Sequence, residues 1–283
     1  MSKTIPPHQP NTNPQLDKPI SSATGSNVAQ PTHPVLNVMR KVPEITVFFW
    51  IIKLLTTAMG EVTSDYLAHQ LDPIIAVALG GIGLLVALIL QFAVRRYVPW
   101  IYWLAVVMVA IFGTMAADVL HVGFGVPYLV STTLFLVALV VIFLLWYLTE
   151  KTLSIHSIYT RRRELFYWAT VMATFALGTA AGDMTASTFN LGYLASGVLF
   201  AVLIAIPALA YWLFGLNEIV AFWLAYILTR PLGASFADWV GRSRDLGGLG
   251  LGTGQVSLVL TVLIVIFVGY LTVTHKDIKG EQR

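Results

Sequence analysis

The sequence predicts an all-α polytopic membrane protein, with eight transmembrane helices built as four parallel two-helix repeats and both termini on the cytoplasmic side. Three observations predict it. The 283 residues are 57% hydrophobic and only 11% charged, with a mean hydropathy of +0.77. A soluble domain carries about 25% charge, and one water-soluble core cannot hide this much apolar surface. The apolar runs are about 20 residues long and do not alternate, which selects helices over a barrel as the way to satisfy backbone polar groups in lipid. Finally, one signature from Trp to Asp recurs four times at constant spacing.

In chain order, residues 1–34 come first, rich in Pro, Ser, Thr, Asn and Gln and without an apolar run. They lack the h-region of a signal peptide and read as a disordered cytoplasmic tail, in which His8 and His33 are incidental. Hydropathy then places spans at 45–67, 74–94, 100–120, 127–149, 164–186, 191–214, 217–240 and 254–274. Arg40 and Lys41 precede the first span, and the first link, AHQLDP, holds no Lys or Arg. The second link carries Arg95 and Arg96, the third (HVGFGVP) none, the fourth Lys151, Arg161, Arg162 and Arg163, and the fifth (STFNLG) none. Lys276, Lys279 and Arg283 follow the last span. The positive-inside rule therefore puts both termini in the cytoplasm. Arg242 and Arg244 go against the rule, in a long external loop, GRSRDLGGLGLGTGQ, that is also the richest in glycine.

The repeat emerges on aligning the odd-numbered spans. Trp50, Trp103, Trp168 and Trp223 each precede a glycine by ten residues (Gly60, Gly113, Gly178, Gly233) and an aspartate by fifteen (Asp65, Asp118, Asp183, Asp238). Repeats fall at 35–96, 97–160, 161–215 and 216–275, with a tail at 276–283. The middle two agree further: Tyr128 and Tyr193, Ser131 and Ser196, and Phe135 and Phe200 stand at equal distances after Asp118 and Asp183. Because each unit has two spans, successive units enter the membrane in the same direction and the four aspartates share a depth. At about 1.5 Å per residue each lies roughly 22 Å from its Trp, towards the outer side of the membrane.

A carboxylate facing lipid costs at least about 2.5–3.5 kcal/mol, so the aspartates are expected to face inward and converge. Glu61, four residues before Asp65, adds a fifth acid on the same helix face. Like charges that close need protons or a cation among them. The competing reading is that the aspartates cap helix ends, where Asp is favoured. Two basic residues also fall inside spans. Lys53 reads as snorkelling to the cytoplasmic interface, and Arg230 as a counter-ion or gate, with Lys53 a second candidate for that role. Five acids against two bases favour a cationic substrate.

Carboxylates and hydroxyls suit Mg²⁺, Ca²⁺ or Mn²⁺. His121, three residues after Asp118, is a further candidate ligand that would tip the balance to Mn²⁺, as would Met59, Met115 and Met184. The aromatic before each Trp, and the Trp itself, read as interfacial anchors. Glu44, Glu164 and Glu218 read as partners of helix N-termini. Without cysteine there is no disulfide, thiolate site or Fe–S cluster. No P-loop, nucleophile elbow or HExxH is present, so neither catalytic residues nor a cofactor are expected.

The phrase KVPEITVFFWIIKLLTTAMGEVTSDYL and its later echoes resemble a bacterial inner-membrane family described as uncharacterised membrane-anchored proteins, over residues 40–275. The resemblance implies repeated helix pairs in an inner membrane and no activity. The Gly–Asp signatures also resemble the acidic motifs of small cation and manganese exporters, though with four copies in place of two and different flanking residues.

These readings lead to an expectation: a secondary transporter of a divalent metal cation, Mn²⁺ foremost, coupled to protons. Asp65, Asp118, Asp183, Asp238 and Glu61 would form the cation site. The bilayer, the cation and protons are the expected partners, a homo-oligomer is compatible, and nucleic acid is not expected. A cation channel and a non-transporting scaffold or sensor are the alternatives.

Overall fold

The computed structural model describes residues 40–278. The tail at 1–34, Lys279 and Arg283 lie outside the described residues. Eight helices are long and apolar enough to cross a membrane. They are α1 (Val47–Gln70), α2 (Pro73–Ala93), α3 (Pro99–Asp118), α4 (Tyr128–Glu150), α5 (Arg161–Asp183), α6 (Gly192–Phe214), α7 (Glu218–Gly241) and α8 (Thr253–Thr274). No strand occurs among the described residues. Local sequence explains the starts. Asp72 Oδ1 accepts from Ile74 N at 2.9 Å, with Pro73 in the first turn, and Asn217 Oδ1 accepts from Ile219 N at 3.0 Å. The expected spans match these helices to within a few residues. One difference is instructive: α3 and α5 run on past their aspartates into π-helical turns, Val119–Gly123 and Met184–Thr188.

Burial sorts the helices into two classes. More than half of each odd helix is buried, and less than a quarter of each even one. The odd helices form the inner ring, α1 against α3, α3 against α5, α5 against α7, and α7 against α1. Each even helix packs chiefly on the inner helix of the following repeat: α2 on α3, α4 on α5, α6 on α7, and α8 on α1. The outer helices expose large apolar side chains such as Ile74, Leu134, Val202 and Leu258, as bilayer contact requires.

The motif glycines set the ring spacing. A Cβ added to Gly60 would lie 2.5 Å from Ala110 Cβ, one on Gly113 2.8 Å from Phe175 Cβ, one on Gly178 2.5 Å from Arg230 Cβ, and one on Gly233 2.8 Å from Thr57 Cβ. Every partner is the residue seven after the Trp of the next inner helix. Small residues here let backbones approach closely.

The tryptophans also form a cycle. Phe49 packs on Trp103 at 5.8 Å between ring centroids, Tyr102 on Trp168 at 5.7 Å, Tyr167 on Trp223 at 6.3 Å, and Phe222 on Trp50 at 5.8 Å. This corrects the reading of interfacial anchors: Trp103, Trp168 and Trp223 are buried. Their place on inner helices turns them onto one another and away from lipid headgroups.

Residues 40–46 strap this aromatic layer. Lys41 N donates to Ile158 O at 3.1 Å, Tyr97 N to Arg40 O at 2.9 Å, and Glu44 N to Asp277 O at 3.0 Å. The Lys41 ammonium meets Glu164 Oε2 at 2.5 Å, and Gln91 donates to Glu164 Oε1 at 3.0 Å. Glu164 thus stands in the first turn of α5, as expected, and also joins the strap to α2. Tyr97 donates to Asp277 Oδ2 at 2.6 Å, and burial together with that carboxylate holds its hydroxyl well above the ordinary tyrosine range.

Candidate functional site

Above the aromatic layer, one side chain ties all four repeats together. Arg230 is fully buried, at 0% exposure. It donates through NH1 to Thr57 O at 3.0 Å, and through NH2 to Glu61 Oε2 at 2.6 Å and to Thr179 Oγ1 at 2.6 Å. Its NH2 also contacts Thr114 Oγ1. The repeat explains this set. Glu61, Thr114 and Thr179 each stand eleven residues after a motif Trp, directly after a motif glycine. The fourth equivalent is Ala234, in Arg230's own helix, where an oxygen would be redundant. Arg230 needs room at Gly178, where any Cβ would strike its stem and the Pro231 ring beside it, and α7 runs as helix through Pro231.

Lys53 lies beside this centre. Its Nζ stands 3.9 Å from the Phe175 ring centroid and 4.2 Å from that of Tyr226, buried and without a hydrogen-bond acceptor. The snorkelling reading is therefore corrected. The aromatic layer and the strap cover the way to the interface, and two ring faces take the place of water.

Farther along the inner helices lie the aspartates. Asp183, Asp238 and Glu61 each offer a carboxylate oxygen within 4.8 Å of the others. Asp238 Oδ1 meets Arg242 Nε at 3.0 Å, and Asp65 Oδ2 meets Arg242 NH2 at 3.0 Å. Half-buried Asp118 lies in the electrostatic field of Glu61, Asp65 and Asp238. Burial opposes the charge on Arg242, but Asp238 and Asp65 outweigh it and raise its pKa above the ordinary arginine value. Neither Asp118 nor Asp183 forms an ion pair with Lys or Arg among the described residues.

Arg242 is the basic residue beside the carboxylates that the expected site lacked. Two signals in the sequence point to it: it breaks the positive-inside pattern, and it follows Asp238 by four residues, on one helix face. His121 is engaged elsewhere. Its Nδ1 is 2.8 Å from Val126 O and its Nε2 3.0 Å from Ser131 Oγ, so both ring nitrogens have partners away from the aspartates. The methionines Met59 and Met115 are buried in packing, Met115 against Gly80. Met184 stands half-buried directly after Asp183, and the other donors that remain are carboxylate and hydroxyl oxygen.

A family model described as Repeat of Unknown Function (DUF347) matches the chain four times, at residues 48–97, 101–152, 166–216 and 221–277. No curated protein and no solved structure matches it.

Proposed function

The chain belongs to that repeat family, which brings no activity with it, and from the geometry of the repeats we propose a secondary transporter of a hard divalent metal cation, coupled to protons. One observation carries the reading: carboxylates from different repeats gather inside a ring of membrane-length helices, and two of them, Asp118 and Asp183, form no ion pair with Lys or Arg among the described residues. In low dielectric such a group takes a cation or protons. An all-oxygen donor set fits Mg²⁺, Ca²⁺ and Mn²⁺. The expectation of Mn²⁺ drew on His121 and on Met59, Met115 and Met184; His121 has other partners and Met59 and Met115 are packed, while Met184 stays beside the carboxylates, so Mn²⁺ is the first ion to assay. Protons would compete with the metal for Asp118 and Asp183, which is the coupling.

The cyclic contacts of the motif glycines and tryptophans support four parallel repeats. The loop charges support both termini in the cytoplasm, and the resemblance over residues 40–275 supports a bacterial inner membrane. Arg230 and the aromatic layer interrupt the central path, which favours a carrier over an open channel. The test is flux of Mn²⁺, Mg²⁺ and Ca²⁺ into proteoliposomes with and without a pH gradient. Saturable, gradient-driven flux is expected, reduced at least about tenfold in Asp118→Asn and Asp183→Asn, as loss of one buried charge contact predicts. Unchanged flux in Asp→Asn variants at all of positions 65, 118, 183 and 238 would sink the reading.

A further inference from the structure

Resting on that transport reading, we propose that Arg242 is a tethered cation which occupies the mouth of the site between Asp65 and Asp238 and filters entering ions by charge, admitting divalent cations and turning away monovalent ones. Three observations argue for it. The first is position. Nineteen residues after each motif Trp stand His69, Val122, Ser187 and Arg242, so only the fourth repeat places a permanent cation there. That cation bridges the first repeat and the fourth, at 3.0 Å to each carboxylate.

The second observation is how the chain holds it. The glycine-rich loop after α7 folds back along the helix's last turn. Leu249 N donates to Trp239 O at 2.7 Å, Leu251 N to Val240 O at 3.2 Å, and Gly250 N to Arg242 O at 2.9 Å. Gly248 sits so close that a Cβ would lie 2.6 Å from the Arg242 carbonyl carbon. Gly247, Gly250 and Gly252 take φ of +83°, +78° and +85°, open to glycine at little cost. The backbone of Arg242 is thus fixed, while its side chain keeps 25% exposure.

The third observation is a second seat. The guanidinium carbon stands 5.3 Å from the ring of Tyr193 on α6 while it pairs with both carboxylates, and in the proposed filter that ring face is the seat that keeps the arginine when a cation displaces it.

Charge arithmetic does the rest. Arg242 brings one positive charge to two carboxylates. A sodium or potassium ion brings no more, and competes against a group whose tether gives it a high effective concentration. A divalent ion doubles the attraction at the same distance, and only it gains by displacing the arginine.

The test uses the full chain in proteoliposomes, with Mn²⁺ flux measured against rising Na⁺ at constant ionic strength. In the wild type, Na⁺ is expected to leave the flux unchanged. In Arg242→Gln the Mn²⁺ concentration at half-saturation should fall roughly tenfold, since two part-exposed charge contacts are together worth about a decade in affinity. Na⁺ should now inhibit. Arg242→Lys, which keeps the charge, should restore discrimination. A merely structural arginine would lower the melting temperature and the maximal flux and leave Na⁺ competition as in the wild type; that result overturns the filter while the transport reading stands. Absence of flux in the wild type for every divalent ion would overturn the transport reading and the filter together.

Discussion

Glu61 and Arg230 are the one ion pair at the centre of the ring, and each is almost completely buried. Desolvation makes such a pair a weak source of stability, yet removing one member strands the other. Glu61→Gln is therefore expected to destabilise by about 3–5 kcal/mol. Arg230→Met should do the same, because it leaves Glu61 charged beside Thr114 and the carboxylates of Asp183 and Asp238. The double variant should be less destabilised than the sum, with a coupling of at least about 1 kcal/mol. Thermal unfolding in detergent measures all three, and additive losses would show that the two side chains do not act as a unit. Both residues were legible in the sequence as charges inside apolar spans. Their pairing was not, because the contact joins residues from different repeats and no spacing rule connects them. Lys53 was misread for a related reason. Its distance from Trp50 suggested the interface, but that holds only if the tryptophan faces the headgroups.

Among the helices, the motif glycine is the part of the signature with the clearest mechanical role. At Gly60 the space for a Cβ is taken by Ala110 of the neighbouring inner helix, and at Gly178 by Arg230 and Pro231. Backbone atoms must move to admit a methyl group, so Gly60→Ala and Gly178→Ala are each expected to cost about 1–3 kcal/mol as overpacking. Gly269→Ala on α8 is the contrast. There the nearest neighbour is Trp100 at 3.8 Å, an ordinary contact, and the change should be neutral or stabilising by up to about 1 kcal/mol. Melting temperatures of the three variants check the ordering, and equal shifts would mean that the glycines do not set the ring spacing. Spans and repeats could be read from hydropathy and spacing alone. The π-helical turns after Asp118 and Asp183 could not, since a change from four- to five-residue hydrogen bonding leaves no pattern in composition. Nor could the pairing of outer helices with the next repeat, which depends on which face of an almost uniformly apolar helix finds a groove.

At the scale of the whole molecule, the unit that packs and the unit that inserts are different. Packing joins α8 to α1 and α2 to α3, whereas the hairpins available for insertion in chain order are α1 with α2 and α7 with α8. The two ends of the described body meet, because Glu44 N bonds Asp277 O at 3.0 Å. A ring closed in this way has no privileged starting repeat, and circular permutation tests that. Joining residues just after Asp277 to those just before Arg40, so that the strap stays, and opening the exposed link between Gly215 and Leu216 moves a whole hairpin to the front. Each span keeps its direction and its flanking basic residues, so this permutant should insert and melt within about 5 °C of the parent, a difference of at most about 2 kcal/mol. Opening the loop at 243–252 instead would keep the packed pair α8 and α1 together but make α8 the first span. Its leading end would then have to cross the bilayer, against the basic residues at the far end of α8. That second permutant is expected to fail to accumulate in the membrane. If both permutants insert equally, contacts alone govern assembly; if only the first does, the order of hairpins decides which of the ring's equivalent cuts a cell can use.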